Sequence, residues 1–170
     1  MGYSPNPAAK ALRLQRTHIV GAVFPTTDHG LYARMVEHFQ RRMSEAGYLT
    51  FLRTAGFDSR NMYDAVQPLV ERGAEALMIV GRIDDPKLVA YLESKGIPVV
   101  CTYSSLKDNP FASIGIDNYE GTHGVMEYLR QLGHREFALL SGPLAGNDRQ
   151  QARAQAYRDV IVKQIGRAHV

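Results

Sequence analysis

Cysteine is almost missing from this chain, for Cys101 stands alone in 170 residues, inside the apolar run from Ile97 to Thr102. That excludes a disulfide framework, a CxxC redox pair and a cysteine-rich metal site. The thiol is expected to pack as a small hydrophobe. No apolar stretch approaches the roughly 18 residues that a membrane-crossing helix needs. The opening residues, MGYSPNPAAKALRLQRT, hold no hydrophobic segment of the secretory kind. A cytoplasmic protein with no membrane partner is expected.

The signatures of common enzymes are missing as well. HExxH, GxSxG, a P-loop and GxGxxG do not occur, and His18, His29, His38, His123, His134 and His169 show no metal-ligand spacing. Ser141 precedes Gly142 at the end of an expected strand, but Leu139 stands where a nucleophile elbow requires glycine. The expectation is therefore no catalysis, no cofactor and no metal. Nor is there an internal repeat or a low-complexity segment.

What is present is a soluble globular composition, 45% hydrophobic and 22% charged, sufficient for one core and part of another. The net charge of +3 is placed unevenly, since Lys10, Arg13 and Arg16 all precede the first acidic residue, Asp28. Such an arm suits a segment lying near phosphates, and equally a solvated tail.

From His18 onward short apolar runs alternate with helical periods, as βαβ units do. Strands are expected at His18–Phe24, Tyr48–Arg53, Ala76–Val80, Ile97–Thr102 and Ala112–Ile116. Between them Leu31, Met35, Val36, Phe39 and Met43 mark a helix over Leu31–Ala46, and Met62, Ala65, Val66, Leu69 and Val70 mark one near Ser59–Arg72 that Pro68 should kink or break. Asp85 caps a third helix with Pro86 at its first position and Gly96 at its end. A fourth runs from about Tyr119 to Leu132. The architecture that fits is α/β, a doubly wound parallel sheet in a three-layer α/β/α sandwich. A strand at Phe137–Ser141 and a helix near Arg149–Lys163 would begin a second subdomain.

A doubly wound sheet binds ligands at the carboxyl ends of its strands. Those ends here carry Pro25-Thr26-Thr27-Asp28, Arg53-Thr54, Gly81-Arg82, Tyr103-Ser104 and Asp117-Asn118. The rim offers donors, acceptors and an aromatic, as polyol or nucleoside recognition requires, and no phosphate-cradling glycine loop. Thr27, Arg82, Asp117 and Asn118 are its candidate effector-binding residues.

Three stretches together resemble the lac repressor family of transcription regulators. Residues Gly2-Tyr3-Ser4-Pro5-Asn6-Pro7-Ala8-Ala9-Lys10-Ala11-Leu12-Arg13 look like the segment joining that family's helix-turn-helix head to its sensing core. Ile116-Asp117-Asn118-Tyr119-Glu120-Gly121, with Tyr128-Leu129 and Leu132-Gly133-His134-Arg135, resembles the family's subdomain junction. Ser141-Gly142-Pro143 and Arg153-Ala154-Gln155-Ala156-Tyr157 resemble a third motif, from which Ala156 departs where the family usually has glycine.

The resemblance implies a periplasmic-binding-protein-like effector-binding domain in a transcriptional repressor, with a sugar-like effector, operator DNA and a second copy of itself as partners. Arg153 would reach ligand hydroxyls or a carboxylate, Asp117 would accept from hydroxyls, and Tyr32 would line the pocket. On operator DNA, Leu12 would wedge into the minor groove with Lys10 and Arg13 beside it. Residues 1–17 become the hinge arm, 18–134 the first subdomain, 135–164 the start of the second, and 165–170 a tail foreign to the natural protein. The head should precede Met1, and the rest of the second subdomain should follow Val162. With one wall of the cleft lacking, this chain alone is expected to bind effector weakly or not at all. A sugar-binding protein of a transport system shares the sheet and the rim; an export signal would mark it, and the arm resembles none.

Overall fold

In the computed structural model, residues 16–105 and 109–165 are described, with side chains to residue 162. The chain runs β1 (Ile19–Phe24), α1 (Gly30–Glu45), β2 (Leu49–Thr54), a 3-10 turn (Ser59–Asn61), α2 (Met62–Glu71), β3 (Ala76–Val80), α3 (Pro86–Lys95), β4 (Val99–Thr102), β5 (Ala112–Ile114), α4 (Asn118–Gln131) and α5 (Asp148–Ile165). The five strands form one sheet in the order β2-β1-β3-β4-β5, parallel throughout. That is the expected doubly wound sheet.

Strand alternation divides the core in two. Val23, Ile79 and Cys101 point to the face covered by α2 and α3, where Val66, Leu69, Leu88 and Leu92 are buried. Ala22, Phe24 and Val80 point to the opposite face, under Tyr32 of α1. Fully burying a leucine such as Leu88 or Leu92 stabilises by roughly 1.5–3 kcal/mol. Local chemistry sets the element ends. Asp85 accepts from the Lys87 amide at 2.9 Å, Pro86 opens α3, and Gly96 closes it at φ 62°. β4 starts at Val99, two residues later than expected, since Pro98 has no amide proton for the ladder. α2 runs through Pro68 as one helix, so the expected break does not occur.

Two expectations about the second half need correction. Residues 135–141 form no strand: an extended segment needs a neighbour for its amides and carbonyls, and none pairs with this one among the described residues. Leu140 is accordingly 99% exposed. Second, α4 does not pack with the first unit, where its sequence position put it. It lies along α5, and Met126, Val160 and Ile161 form a third, separate core flanked by Phe137 and Tyr157. On the α1 side the sheet is only partly covered. Val20, Phe39, Met43, Met78, Val100 and Ile114 line an apolar trough of about 530 Å³ over β1, β3, β4 and β5.

Candidate functional site

Because every strand runs the same way, their carboxyl ends share one edge, and the start of α5 folds back onto it. Gly115 follows β5 directly. A Cβ there would stand 2.5 Å from the Ser104 amide nitrogen and 2.7 Å from the Tyr103 carbonyl carbon, so only glycine lets the two strand ends approach. Tyr103 itself takes φ 71°, a left-handed conformation that costs a non-glycine residue about 1–3 kcal/mol. Its amide donates to the Ile114 carbonyl at 3.1 Å, and its own carbonyl accepts from Asn118 Nδ2 at 3.1 Å. Those bonds hold the strained residue in place. Its ring lies 5.7 Å from Tyr32, which also meets His29 and Phe57, giving the rim an aromatic wall.

Asp117 is the N-cap of α4, its Oδ1 accepting from the Tyr119 and Glu120 amides at 3.0 Å each. Asn118, 6% exposed, is the pivot of the site. It donates to the Tyr103 and Ile116 carbonyls and accepts from Arg153 Nε at 3.0 Å and Nη2 at 2.7 Å. The arginine fork of α5 therefore docks on a single amide oxygen at the start of α4. The Tyr119 hydroxyl donates to Asp159 at 2.8 Å, and that bond, with burial second, raises the tyrosine pKa. It ties α4 to α5.

Two further contacts bring α5 to the rim. Ser104 Oγ donates to Asp148 Oδ2 at 2.5 Å, and the Ser59 amide donates to the Gly146 carbonyl at 3.0 Å. Gly146 has φ 66°, and a Cβ on it would lie 2.2 Å from Asp58 Oδ1. Asp58 is held in turn by Arg60, whose side-chain hydrogen bonds keep its carboxyl down at about 2. Between these parts is a cavity of about 220 Å³ lined by Ser104, Ile116, Asp117, Asn118, Asp148 and Arg149.

The structure gathers Asp117, Asn118 and Arg153 into one place and leaves the other candidates apart from it. Tyr32 is buried in the aromatic wall. Arg82 pairs with Asp84 in a neighbouring niche that also includes Gly56, Phe57 and Gly81. Thr27 is exposed in the turn after β1. Lys10, Leu12 and Arg13 lie outside the described residues. The sequence reading did not single out Phe57, Asp148 or Arg149. Asp148 and Arg149 appear in sequence only as the polar start of a helix, and nothing there signals that the helix begins on the rim.

Residues 17–170 match a family described as periplasmic binding proteins and the sugar-binding domain of the LacI family. The probable HTH-type transcriptional repressor ExuR of Bacillus subtilis is 27% identical over 168 residues, which cover 96% of this chain and 48% of the repressor. The chain thus spans about half the length of this relative. A LacI family transcriptional regulator from Silicibacter pomeroyi superposes with a TM-score of 0.77 at 16% identity, over 85% of this chain and 54% of that one. The lac repressor dimer bound to operator and an anti-inducer superposes with a TM-score of 0.76 at 22% identity, over 95% of this chain and 57% of the other. These likenesses carry the fold, and the ExuR likeness carries the class of relative.

Proposed function

Since the chain belongs to the family of periplasmic binding proteins and LacI-type sugar-binding domains, we propose that it is the effector-sensing part of a DNA-binding transcriptional repressor. The observation that carries this reading is the Arg153–Asn118 contact. Asn118 opens α4 and also donates to the Tyr103 carbonyl at the end of β4, so Arg153 on α5 is tied through it to the sheet, and a ligand in the adjoining cavity meets Ser104 and Ile116 from one body and Asp148 and Arg149 from the other. A ligand that prefers one angle between the two bodies shifts the population toward it. In the intact protein that angle would reach operator DNA through the arm, with Lys10, Leu12 and Arg13 at the groove, in a homodimer working in the cytoplasm. No catalytic step is assigned.

Asp117, Asn118 and Arg153 are the proposed effector ligands, Tyr32 with its aromatic neighbours the apolar wall, and Thr27 and Arg82 outer rim contacts. The effector is a sugar or related metabolite. Residues 1–17 serve as the arm, 18–117 as the first body and 118–164 as the start of the second, a division that the shared core of α4 and α5 supports. A binding protein of a transport system is the second reading, favoured only by the breadth of the family description; the repressor among the relatives weighs against it.

The test is calorimetry on the full-length protein with a panel of neutral and charged sugars and nucleosides, followed by operator gel shifts with and without the ligand that binds. Arg153→Lys keeps the charge and loses the fork, so affinity should fall by about tenfold or more. Unchanged affinity in that variant, or an operator complex indifferent to every ligand that binds, would overturn the proposal.

A further inference from the structure

Arg149 is the second residue of α5, and its charge lies inside the molecule. The side chain is 8% exposed, and Nη1 is buried without a hydrogen-bond partner among the described residues. Among the described residues it pairs with the carboxylate of its neighbour Asp148, 3.6 Å from Nη1, and the other oxygen of that group already takes the Ser104 hydroxyl. A buried guanidinium with an unused donor is unfavourable until an anion or another acceptor meets it. Arg149 stands between the end of β3, where Nη1 comes 2.8 Å from the place of a Cβ on Gly81, and the 220 Å³ cavity that it lines with Asp117 and Asn118. The positive end of the 18-residue α5 starts at the same point.

The geometry points to an effector that carries one anionic group, a carboxylate or a phosphate, on a sugar-like frame. This rests on the reading of the rim as an effector site and adds the charge of the ligand to it. The anion faces the planar fork of Arg149, which suits both groups. Hydroxyls of the same molecule face Asp117 and the Asn118–Arg153 pair. Asp148 and Asp117 limit the alternatives: two carboxylates on the cavity wall disfavour a bare inorganic anion and accept from a polyol. The ligand therefore combines hydroxyls with a single charged end.

The experiment is calorimetry on the full-length protein with matched trios, namely glucose, glucuronate and glucose 6-phosphate, and the same three forms of galactose. One charged form should bind roughly tenfold or more tightly than its neutral parent, and the carboxylate and phosphate arms identify which anion. In Arg149→Gln the ratio of charged-form to neutral-form affinity should fall below about twofold, whatever the variant does to the neutral sugar itself. The wild-type ratio needs no variant, so it decides the matter even where Arg149→Gln fails to fold. If a neutral sugar or nucleoside binds as tightly as every charged form, or if Arg149→Gln keeps the preference, this inference falls and the effector site stands. If neither these sugars nor the wider panel bind, both fall.

Discussion

Replacing Asp117 separates two roles that share one carboxylate. In the structure Oδ1 accepts the Tyr119 and Glu120 amides at 3.0 Å and so caps α4, while the side chain also borders the cavity. Asparagine caps helices about as well as aspartate and lacks the charge; alanine does neither. Asp117→Ala should therefore lose about 1 kcal/mol of stability, a fall of roughly 2–4 °C in Tm for a chain of this size. Asp117→Asn should stay within a few tenths of a kcal/mol of the parent. A hydrogen bond from a ligand hydroxyl to a charged acceptor contributes about 1.5–3 kcal/mol. Both variants should accordingly bind effector some 10- to 150-fold more weakly. Thermal melts followed by calorimetry on the full-length protein read the two effects independently. If Asp117→Asn binds effector as the parent does, the carboxylate is a cap and nothing more, and the ligand role assigned to it is refuted.

Four further perturbations probe the scaffold. Leu88→Ala empties a fully buried position between α3 and the sheet and should cost about 2–5 kcal/mol, read by urea denaturation; a loss under about 1 kcal/mol would contradict the packing. Burial raises the pKa of Cys101, so the folded protein should resist alkylation near neutral pH and react only as it opens, which labelling followed by mass spectrometry measures. The Asp58 carboxyl sits near 2 in the folded protein against an ordinary 3.8, held by Arg60. Its contribution is therefore complete above about pH 4 and lost as pH falls toward 2; Tm measured through that window should drop less in Asp58→Asn than in the parent. Gly146→Ala puts a methyl against Asp58 at a positive φ, and should lower stability by about 1–3 kcal/mol while freeing the start of α5 from the rim; amide exchange at Ser59 reports the release.

How much of this was legible in the sequence depends on how far each feature's cause extends along the chain. Asp85, Pro86 and Gly96 fix α3 through contacts a few residues apart, and they read correctly. The apolar runs of β1, β3 and β4 identified those strands because the middle of a parallel sheet is its most buried part, a demand that composition records, while β5 at the edge is exposed along its length. The run Phe137–Ser141 carries the same apolar signal and forms no strand, because pairing depends on a neighbour that no local pattern can supply. Asp117 and Asn118 were marked by their place at a strand's carboxyl end and Arg153 by motif resemblance, but neither signal revealed that Asn118 and Arg153 bond to each other.

The same distinction explains why Arg149 escaped notice and why it matters. In sequence it is one more charged residue in the run Asn147-Asp148-Arg149-Gln150, which reads as a solvated helix start. It is buried only because Gly146 lets the chain pass against Asp58, and because Ser104 draws Asp148 onto the end of β4. Each of these contacts spans more than forty residues of chain, so none shows as periodicity or spacing. A charge buried by such distant contacts, with a donor still unused, bears a desolvation cost that surface arginines escape. The fold can carry that cost where binding of an anion recovers it. If the proposed effector site holds, the charge of its ligand is set by how α5 packs on the rim, and swapping Arg149 for glutamine should change which sugars the protein distinguishes before it changes whether it folds.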